Sequence, residues 1–286
     1  MQPKVSIIIP IYNAEPYISR CLDSLISQTF TEIEILCIND GSTDDSLRIL
    51  NAYAQFDSRI RIISQTHRGM GAARNIGVDA ATADYILFMD ACDWIEPQSC
   101  ERLYTAITHH QAEMACGSIQ KTYRFRKPQW VELYTEENIY ASAQTRFDTI
   151  HCLPNFRVVH KLLKREVLLR EGVRFKEETA FEQIEYLTHL LHIMAWMITV
   201  PDAVYHDMTQ ASPTDNTIEL QQQSYFAQKC SLAFIDSIGV AIKPEYRWIR
   251  KRTYRLCKIT YLAVWVRDGI EEIRLFDRIT IQRRKI

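Results

Sequence analysis

The first third of the chain predicts an α/β fold with a mainly parallel central sheet flanked by helices. Three observations carry this. Apolar runs at Val5–Pro10, Ile33–Ile38, Ile60–Ile63 and Tyr85–Met89 have the length and β-branched content of buried strands. Segments with helical spacing separate them, giving β-α-β-α-β-α-β. The first, second and fourth runs empty into polar or acidic loops, at residues 10–14, 39–44 and 90–93. Right-handed crossovers put those loops on one edge of the sheet, where open α/β sheets bind ligands.

The elements follow in order. Val5-Ser-Ile-Ile-Ile-Pro10 is a first strand, which Pro10 ends for want of an N–H. Tyr17, Ile18, Cys21, Leu22, Leu25 and Ile26 recur at helical spacing. The strand Ile33–Ile38 runs into Asn39-Asp40-Gly41-Ser42-Thr43-Asp44-Asp45, where Ser42 and Asp45 have capping-box spacing ahead of a second helix. Gly69-Met-Gly-Ala-Ala-Arg-Asn-Ile-Gly77 opens a third helix whose small residues allow close packing on the sheet or on a ligand. Further on, 99–109 reads as helix and 114–118 as strand. The aromatic and charged stretch 119–140, with Trp130 and Tyr134, reads as strands or a lid. A short helix over 164–171 stops at Gly172, a longer one covers 181–194, and 196–200 is a strand. From residue 218 onward helices are expected, at 218–238, 245–266 and 270–280. The division is one α/β domain over 1–210, with halves 1–97 and 98–210, and a helical region over 211–286.

The 286 residues are 47% hydrophobic and 24% charged, the composition of an ordinary globular protein. No apolar run approaches the roughly 20 residues of a membrane span, and no secretory signal pattern opens the chain. The eight cysteines are scattered, with no CxxC, and read as reduced thiols of a cytoplasmic protein. Charge is uneven: Glu245–Ile286 holds 12 Lys/Arg and 5 Asp/Glu, a net of +7, so the rest carries −8 against the total of −1. With Trp248 and Trp265 among these basic residues, 247–286 reads either as a helix lying on the inner face of an anionic membrane or as one packed on the body. Nucleic acid is disfavoured, because the basic charge is confined to the tail.

Several side chains suit a nucleotide-linked ligand. Tyr12 can stack on a base and Asp40 can accept from an imide N–H such as that of uracil. Arg74 can pair with an acid or a phosphate. Asp90 and Asp93 can face a divalent ion on a pyrophosphate. The same acids also fit a plain polar turn with Asp93 capping the next helix. A nucleotidyltransferase would want a glycine-rich, lysine-bearing loop after strand one, and Asn13-Ala-Glu-Pro16 is not that.

Four ordered motifs now resemble the family 2 inverting glycosyltransferases of GT-A fold: Val5-Ser-Ile-Ile-Ile-Pro-Ile-Tyr-Asn-Ala14, Asn39-Asp-Gly-Ser-Thr-Asp44, Gly71-Ala-Ala-Arg-Asn-Ile-Gly77 and Phe88-Met-Asp-Ala-Cys-Asp-Trp94. The likeness continues more weakly through Val159-His-Lys-Leu-Leu-Lys164 and Gly172-Val-Arg-Phe175 to about residue 210, and does not reach the tail. It implies a transferase that moves a hexose-type sugar, with inversion, from a nucleotide-sugar donor such as a UDP-hexose or UDP-N-acetylhexosamine. The acceptor would be a surface polysaccharide or lipid-linked glycan, and the cofactor Mn or Mg. On this analogy Pro10, Tyr12, Asn13, Asp40, Gly41, Ser42, Arg74, Asp90 and Ala91 hold the nucleotide-sugar. Asp90, Asp93 and His206 hold the metal, Trp94 and Lys161 line the acceptor side, and Glu182 and Asp93 are catalytic.

Two positions depart from the family pattern. Cys92 stands where a metal-binding Asp is usual, and a thiolate there is a soft ligand that favours zinc. Gln183 stands where the base Asp is usual, leaving Glu182 or Glu185 to substitute. The alternative reading is a catalytically impaired relative that binds nucleotide-sugar or a partner enzyme. His189 and His192, three apart on one helix, read as packing residues rather than metal ligands.

Overall fold

Val5–Ile11 forms β1 in the middle of a parallel block, between Ile33–Asp40 (β2) on one side and Tyr85–Phe88 (β4) on the other. Every residue of β1 and β2 is buried, as strands covered on both faces must be. Ile60–Gln65 (β3) extends the block parallel to β2. The helices Ile18–Ile26 (α1), Ser46–Phe56 (α2) and Met70–Ala80 (α3) make the crossovers. Alternation along the strands splits the core: Ile7, Ile9 and Ile11 pack in one cluster with α1, while Ile8, Leu36 and Ile38 pack in the other with α3.

This computed structural model describes residues 2–122, 127–150, 157–177, 182–208, 228 and 230–240. Beyond these it gives the backbone of 249–256, 259–267, 270–275 and 279–285. The second half continues the sheet through Trp94–Ile95 (β5), Met114–Lys121 (β6), Gln129–Glu132 (β7), Ile139–Tyr140 (β8), Lys161–Lys164 (β9) and Met197–Asp207 (β10). The order is β3-β2-β1-β4-β9-β6-β10-β5, with β7 beside β6 and β8 beside β10. Strand β9 is antiparallel to both neighbours, so β6 and β10 run in the direction of β1 and β4. The C-terminal ends of β1, β2, β4, β6 and β10 therefore share one edge. Helices Ser99–His109 (α4), Ala143–Thr149 (α5), Arg165–Arg170 (α6) and Glu182–Ile193 (α7) cover the faces.

Three sequence expectations change. Pro10 does not end β1, which runs on to Ile11. Pro10 has the parity of Ile8, whose carbonyl accepts from Met89 N–H, and β4 is paired only as far as Ile8, so no ladder bond is asked of the proline. The proposed Ser42/Asp45 box does not cap α2: Asp44 Oδ1 accepts from Ser46 N–H instead, and the Ser42 hydroxyl serves another loop.

The largest correction is the tail. Ile249–Leu256 (β11), Ile259–Arg267 (β12), Ile270–Leu275 (β13) and Ile279–Lys285 (β14) form a four-stranded antiparallel sheet, not helices. The aromatic and β-branched content of Ile259-Thr-Tyr-Leu-Ala-Val-Trp-Val266 suits a pleated surface. Asp268-Gly269, between the paired Arg267 and Ile270, is a strong hairpin dipeptide. An amphipathic helix on a membrane loses its basis with the helices. Of the helix expected over 218–238, residues 230–237 are helical and 218–227 lie outside the described residues. His189 and His192 meet Phe234 edge-on at 4.5 and 5.6 Å, which is packing, as read from the sequence. No described helix is long and apolar enough to cross a membrane. The six described cysteines are free, while Cys152 and Cys257 lie outside the described residues.

Candidate active site

The loops after β1 and β2 are laced together. Asn13 takes a left-handed backbone (φ 49°), which asparagine tolerates better than most residues. Its N–H donates to Ser42 Oγ at 3.1 Å, and its Oδ1 accepts from Thr43 N–H at 2.8 Å. Ala14 N–H donates to Ser46 Oγ at 2.8 Å, and Glu15 N–H to Asp44 Oδ2 at 3.0 Å. Gly41 turns at φ 71°, and a Cβ there would lie 2.9 Å from the His67 backbone nitrogen. Tyr12 stands half exposed above this frame, its ring stacked on His67 at 4.0 Å.

Asp40, 2% exposed, organises the following loop rather than facing outward. Its Oδ1 accepts from Gln65 Nε2 and from Arg68 N–H at 2.8 Å. Its Oδ2 accepts from Gly69 N–H at 2.9 Å and meets His67 Nδ1 at 2.9 Å. Those four contacts fill the acceptor capacity of a carboxylate. An imide N–H reaches Asp40 only if Gln65 or His67 lets go.

Arg74 is fully buried. One N–H donates to Asp90 Oδ1 at 2.9 Å and another to Glu182 Oε1, and the guanidinium lies over the Phe175 ring at 5.3 Å. Burial pulls its pKa down, but the Asp90 and Glu182 charges outweigh this and raise it. Close approach of α3 makes the position possible. A Cβ on Gly77 would sit 2.2 Å from Ile8 Cγ2, and one on Gly71 would sit 2.4 Å from Lys176 O. Asn75 fixes the same helix to the segment before α7, donating to Phe175 O and accepting from Phe175 N–H, both at 2.9 Å.

The acidic turn after β4 is held from β10. The Tyr205 hydroxyl donates to Asp93 Oδ2 at 2.5 Å and accepts from Asp90 N–H at 3.2 Å. Met208 N–H donates to Asp93 Oδ1 at 2.8 Å, and the Cys92 thiol lies 3.2 Å from the same oxygen. Burial, then the Asp90 charge, push Asp93 up to about 7 against the pull of Tyr205 and Met208. Burial and the Asp93 and Asp90 charges drive Cys92 far up as well, so it keeps its proton and is not the soft thiolate its place in the sequence suggests.

The expected metal set does not come together. His206 points to the other side of β10 from Tyr205 and Asp207. It stacks on Trp94 at 4.8 Å and meets Glu96 Oε1 at 2.7 Å. Asp93 has both oxygens engaged. Among the described residues no group of three or more His, Cys, Asp and Glu could hold an ion. Asp90 is different: it is partly exposed, and its Oδ2 has no partner among the described residues. That donor set fits an ion held by one carboxylate and the phosphates of a ligand, a common arrangement for magnesium, but not an all-protein cage.

Of the two acceptor-side expectations, that for Lys161 shifts. Lys161 is 0% exposed in β9, paired with Glu132 at 3.0 Å, and lines no surface. Trp94 is half-buried, its ring stacked on His206 at 4.8 Å with the Arg20 guanidinium 4.0 Å from its centroid. Pro10 and Ala91 are buried beneath the site. Glu182 is 4% exposed, and Gln183 turns its Oε1 to Val158 N–H at 3.3 Å. Sequence reading missed Tyr205, His67, Asp207 and Arg157. Asp207 pairs with Arg157 at 3.0 Å. Tyr205 and Asp207 were within reach of it, since alternate residues of a strand share a face.

Relatives agree with this architecture. Over 115 residues the chain is 44% identical to glycosyltransferase GlyA of Streptococcus pneumoniae serotype 4, covering 40% of this chain and 16% of that protein. It is 36% identical to the uncharacterized glycosyltransferase EpsJ of Bacillus subtilis, over 63% of this chain and 55% of EpsJ. It thus spans about half or less of the length of these two relatives. The S. aureus TarS structure in complex with UDP-GlcNAc superposes with a TM-score of 0.67 at 20% identity, over 78% of this chain and 65% of that one. The Pyrobaculum calidifontis mannosyltransferase PcManGT, in complex with GDP-Man and Mn2+, superposes with a TM-score of 0.56 at 19% identity, over 86% and 67%. At such identities the likeness establishes the GT-A fold. The family description Glycosyl transferase family 2 matches residues 6–168, more than half of the chain, and the protein belongs to that family.

Proposed function

We propose that the chain transfers a sugar from a UDP-sugar to a hydroxyl of a glycan, with inversion. The observation that carries this reading is the shared edge. Arg74 joins Asp90, with one unpartnered oxygen, to the Glu182 carboxylate at the start of α7, and the Asn13–Ser42 lacing joins the loop of the half-exposed Tyr12 to the one after β2. Tyr12 and His67 offer aromatic surface to a base. Asp90 would hold a divalent ion, which would supply charge neutralisation to the departing diphosphate.

Glu182 takes the acceptor proton. Its Oε1 is fixed by Arg74, and its Oε2 has no partner among the described residues, so the carboxylate is oriented with one oxygen available. Attack of the acceptor oxygen on the anomeric carbon breaks the bond to the UDP oxygen, and the proton passes to Glu182. Asp93 serves the turn rather than the proton transfer, because Tyr205, Met208 and Cys92 engage its oxygens.

A second reading, a binding relative with impaired turnover, is favoured by Gln183, whose amide cannot replace a carboxylate base at neutral pH. One experiment separates the two. Calorimetric titration with UDP, with Mn2+ and then with chelator, is followed by UDP release from UDP-GlcNAc, UDP-glucose and UDP-galactose. Metal-dependent binding plus release that falls about 10²–10⁴-fold in Glu182→Gln supports transfer. Binding without release from any donor supports an impaired relative that binds nucleotide-sugar, and no UDP binding overturns transfer from a UDP-sugar and leaves the relative that binds a partner enzyme.

A further inference from the structure

The His67 imidazole makes, within the protein, the contacts that a nucleobase would make. The register of β1 and β2 pairs Ile11 with Asn39, so the next residues, Tyr12 and Asp40, come side by side at the ligand-binding edge. Asp40 is paired in turn with Gln65, the last residue of β3, and His67 lies two residues beyond it. The His67 ring stacks on Tyr12 at 4.0 Å, with 25° between the planes. Its Nδ1 lies 2.9 Å from Asp40 Oδ2 and 3.2 Å from the Asp40 backbone carbonyl. Both neighbours are acceptors, so Nδ1 carries a proton and donates. A flat ring on Tyr12 with a ring N–H on Asp40 is the pair of contacts that uracil offers through its π face and its imide N–H.

We propose that His67 is a surrogate for the nucleobase: its imidazole holds the base position until a donor arrives, and the base of the donor displaces it. The proposal deepens the reading of the protein as a UDP-sugar transferase and rests on it. Tyr12 keeps its place as the stacking surface, and His67 is the ring that the base exchanges with.

The four contacts of Asp40 differ in how readily they yield. The N–H groups of Arg68 and Gly69 are backbone donors at the entry to α3 and stay where the turn puts them. Gln65 is half-buried at the end of β3. The His67 side chain is 54% exposed and can rotate into water without opening the core. Asp40 is buried, and a buried carboxylate left short of a donor is costly, so the imidazole stays until another N–H replaces it. A base with an imide N–H makes the exchange nearly even, hydrogen bond for hydrogen bond and stack for stack. Cytosine, whose N3 carries no proton, cannot. His67 thereby sets both how tightly the nucleotide is held and which bases enter. The apparent affinity is the intrinsic affinity multiplied by the fraction of molecules whose imidazole has let go.

The test follows the imidazole itself by NMR on the full chain, its ring C–H signals being assigned by their loss in His67→Ala. Stacking on Tyr12 should displace those signals upfield. UDP with Mg2+ should return them to the position of a solvent-exposed histidine at the same pH, while CDP with Mg2+ should leave them in place. Calorimetry with Mn2+ should show UDP bound about tenfold more tightly by His67→Ala than by the parent. His67→Phe, which keeps a ring but has no N–H, should fall between the two. Signals that stay upfield with UDP bound, signals released equally by CDP, or UDP binding unchanged or weakened in His67→Ala overturn the surrogate and leave the UDP reading standing. UDP binding by neither the parent nor His67→Ala overturns the surrogate and the UDP reading together.

Discussion

Arg74 and Glu182 lie 108 residues apart in the chain and meet as a buried hydrogen-bonded ion pair, with Asp90 on the other arm of the same guanidinium. This contact joins α3, in the first half of the domain, to the helix that carries the proposed base. It also explains why α3 needs Gly71 and Gly77: both let the helix come close enough for Arg74 to reach both carboxylates.

Removing Arg74 leaves two carboxylates facing each other around an empty buried space. Arg74→Ala should lower stability by about 3–5 kcal/mol, the usual consequence of breaking a buried pair. Arg74→Lys should recover only part, since one ammonium cannot span both partners as a planar fork does. Urea unfolding midpoints at unchanged slope measure this, and an Arg74→Ala protein as stable as the parent contradicts it.

Tyr205 is placed to hold the acidic turn. Tyr205→Phe removes the donor to Asp93 and the acceptor for Asp90 N–H at little change in volume. The expected loss is about 1–3 kcal/mol of stability. Metal-dependent UDP binding should weaken as well, because Asp90 loses its backbone anchor. Thermal melts and calorimetry with Mn2+ report the two effects independently.

Asp93 makes stability depend on pH with a definite sign. Burial and Asp90 raise its pKa to about 7 in the folded protein, so between the ordinary carboxylate range and 7 the folded state binds more protons than the unfolded one. Its contribution to stability is therefore present at low pH and is lost as pH rises through about 7. Asp93→Asn has no such proton to lose. Its stability relative to the parent should improve steadily from about pH 5 to about pH 8 in parallel urea titrations, and a constant difference across that range would sink the idea.

Cys92 keeps its proton beside Asp93. Cys92→Asp places a third carboxylate against Asp90 and Asp93. Without metal the variant should be less stable through like-charge repulsion. With Mn2+ its UDP binding should tighten by about tenfold, as added ligand charge raises affinity for a hard cation. Calorimetry at several Mn2+ concentrations measures the gain.

The residues themselves announced much of the fold. Buried β-branched runs, a helical repeat between them and acids at strand ends were enough to place β1–β4, α1–α3 and the loops at 10–14, 39–44 and 90–93 on one edge, because these signals are local. The tail failed for an equally local reason. Its basic and aromatic residues fit a helical spacing and an alternating one alike, and only the Asp268-Gly269 dipeptide, a hairpin signal, discriminates between them.

What each side chain does was decided elsewhere. The sequence by itself determined which residues could bind a nucleotide-sugar and where along the chain they stand, since residue type and strand ends are written in order. Only the tertiary structure decided that Asp40 braces a loop, that Lys161 is spent on Glu132, that His206 turns to Glu96 and that Tyr205 grips Asp93. Each of these depends on a partner tens of residues away and on which face of a strand it presents. Burial makes Asp40, Lys161 and Tyr205 find such partners, and no local pattern names them.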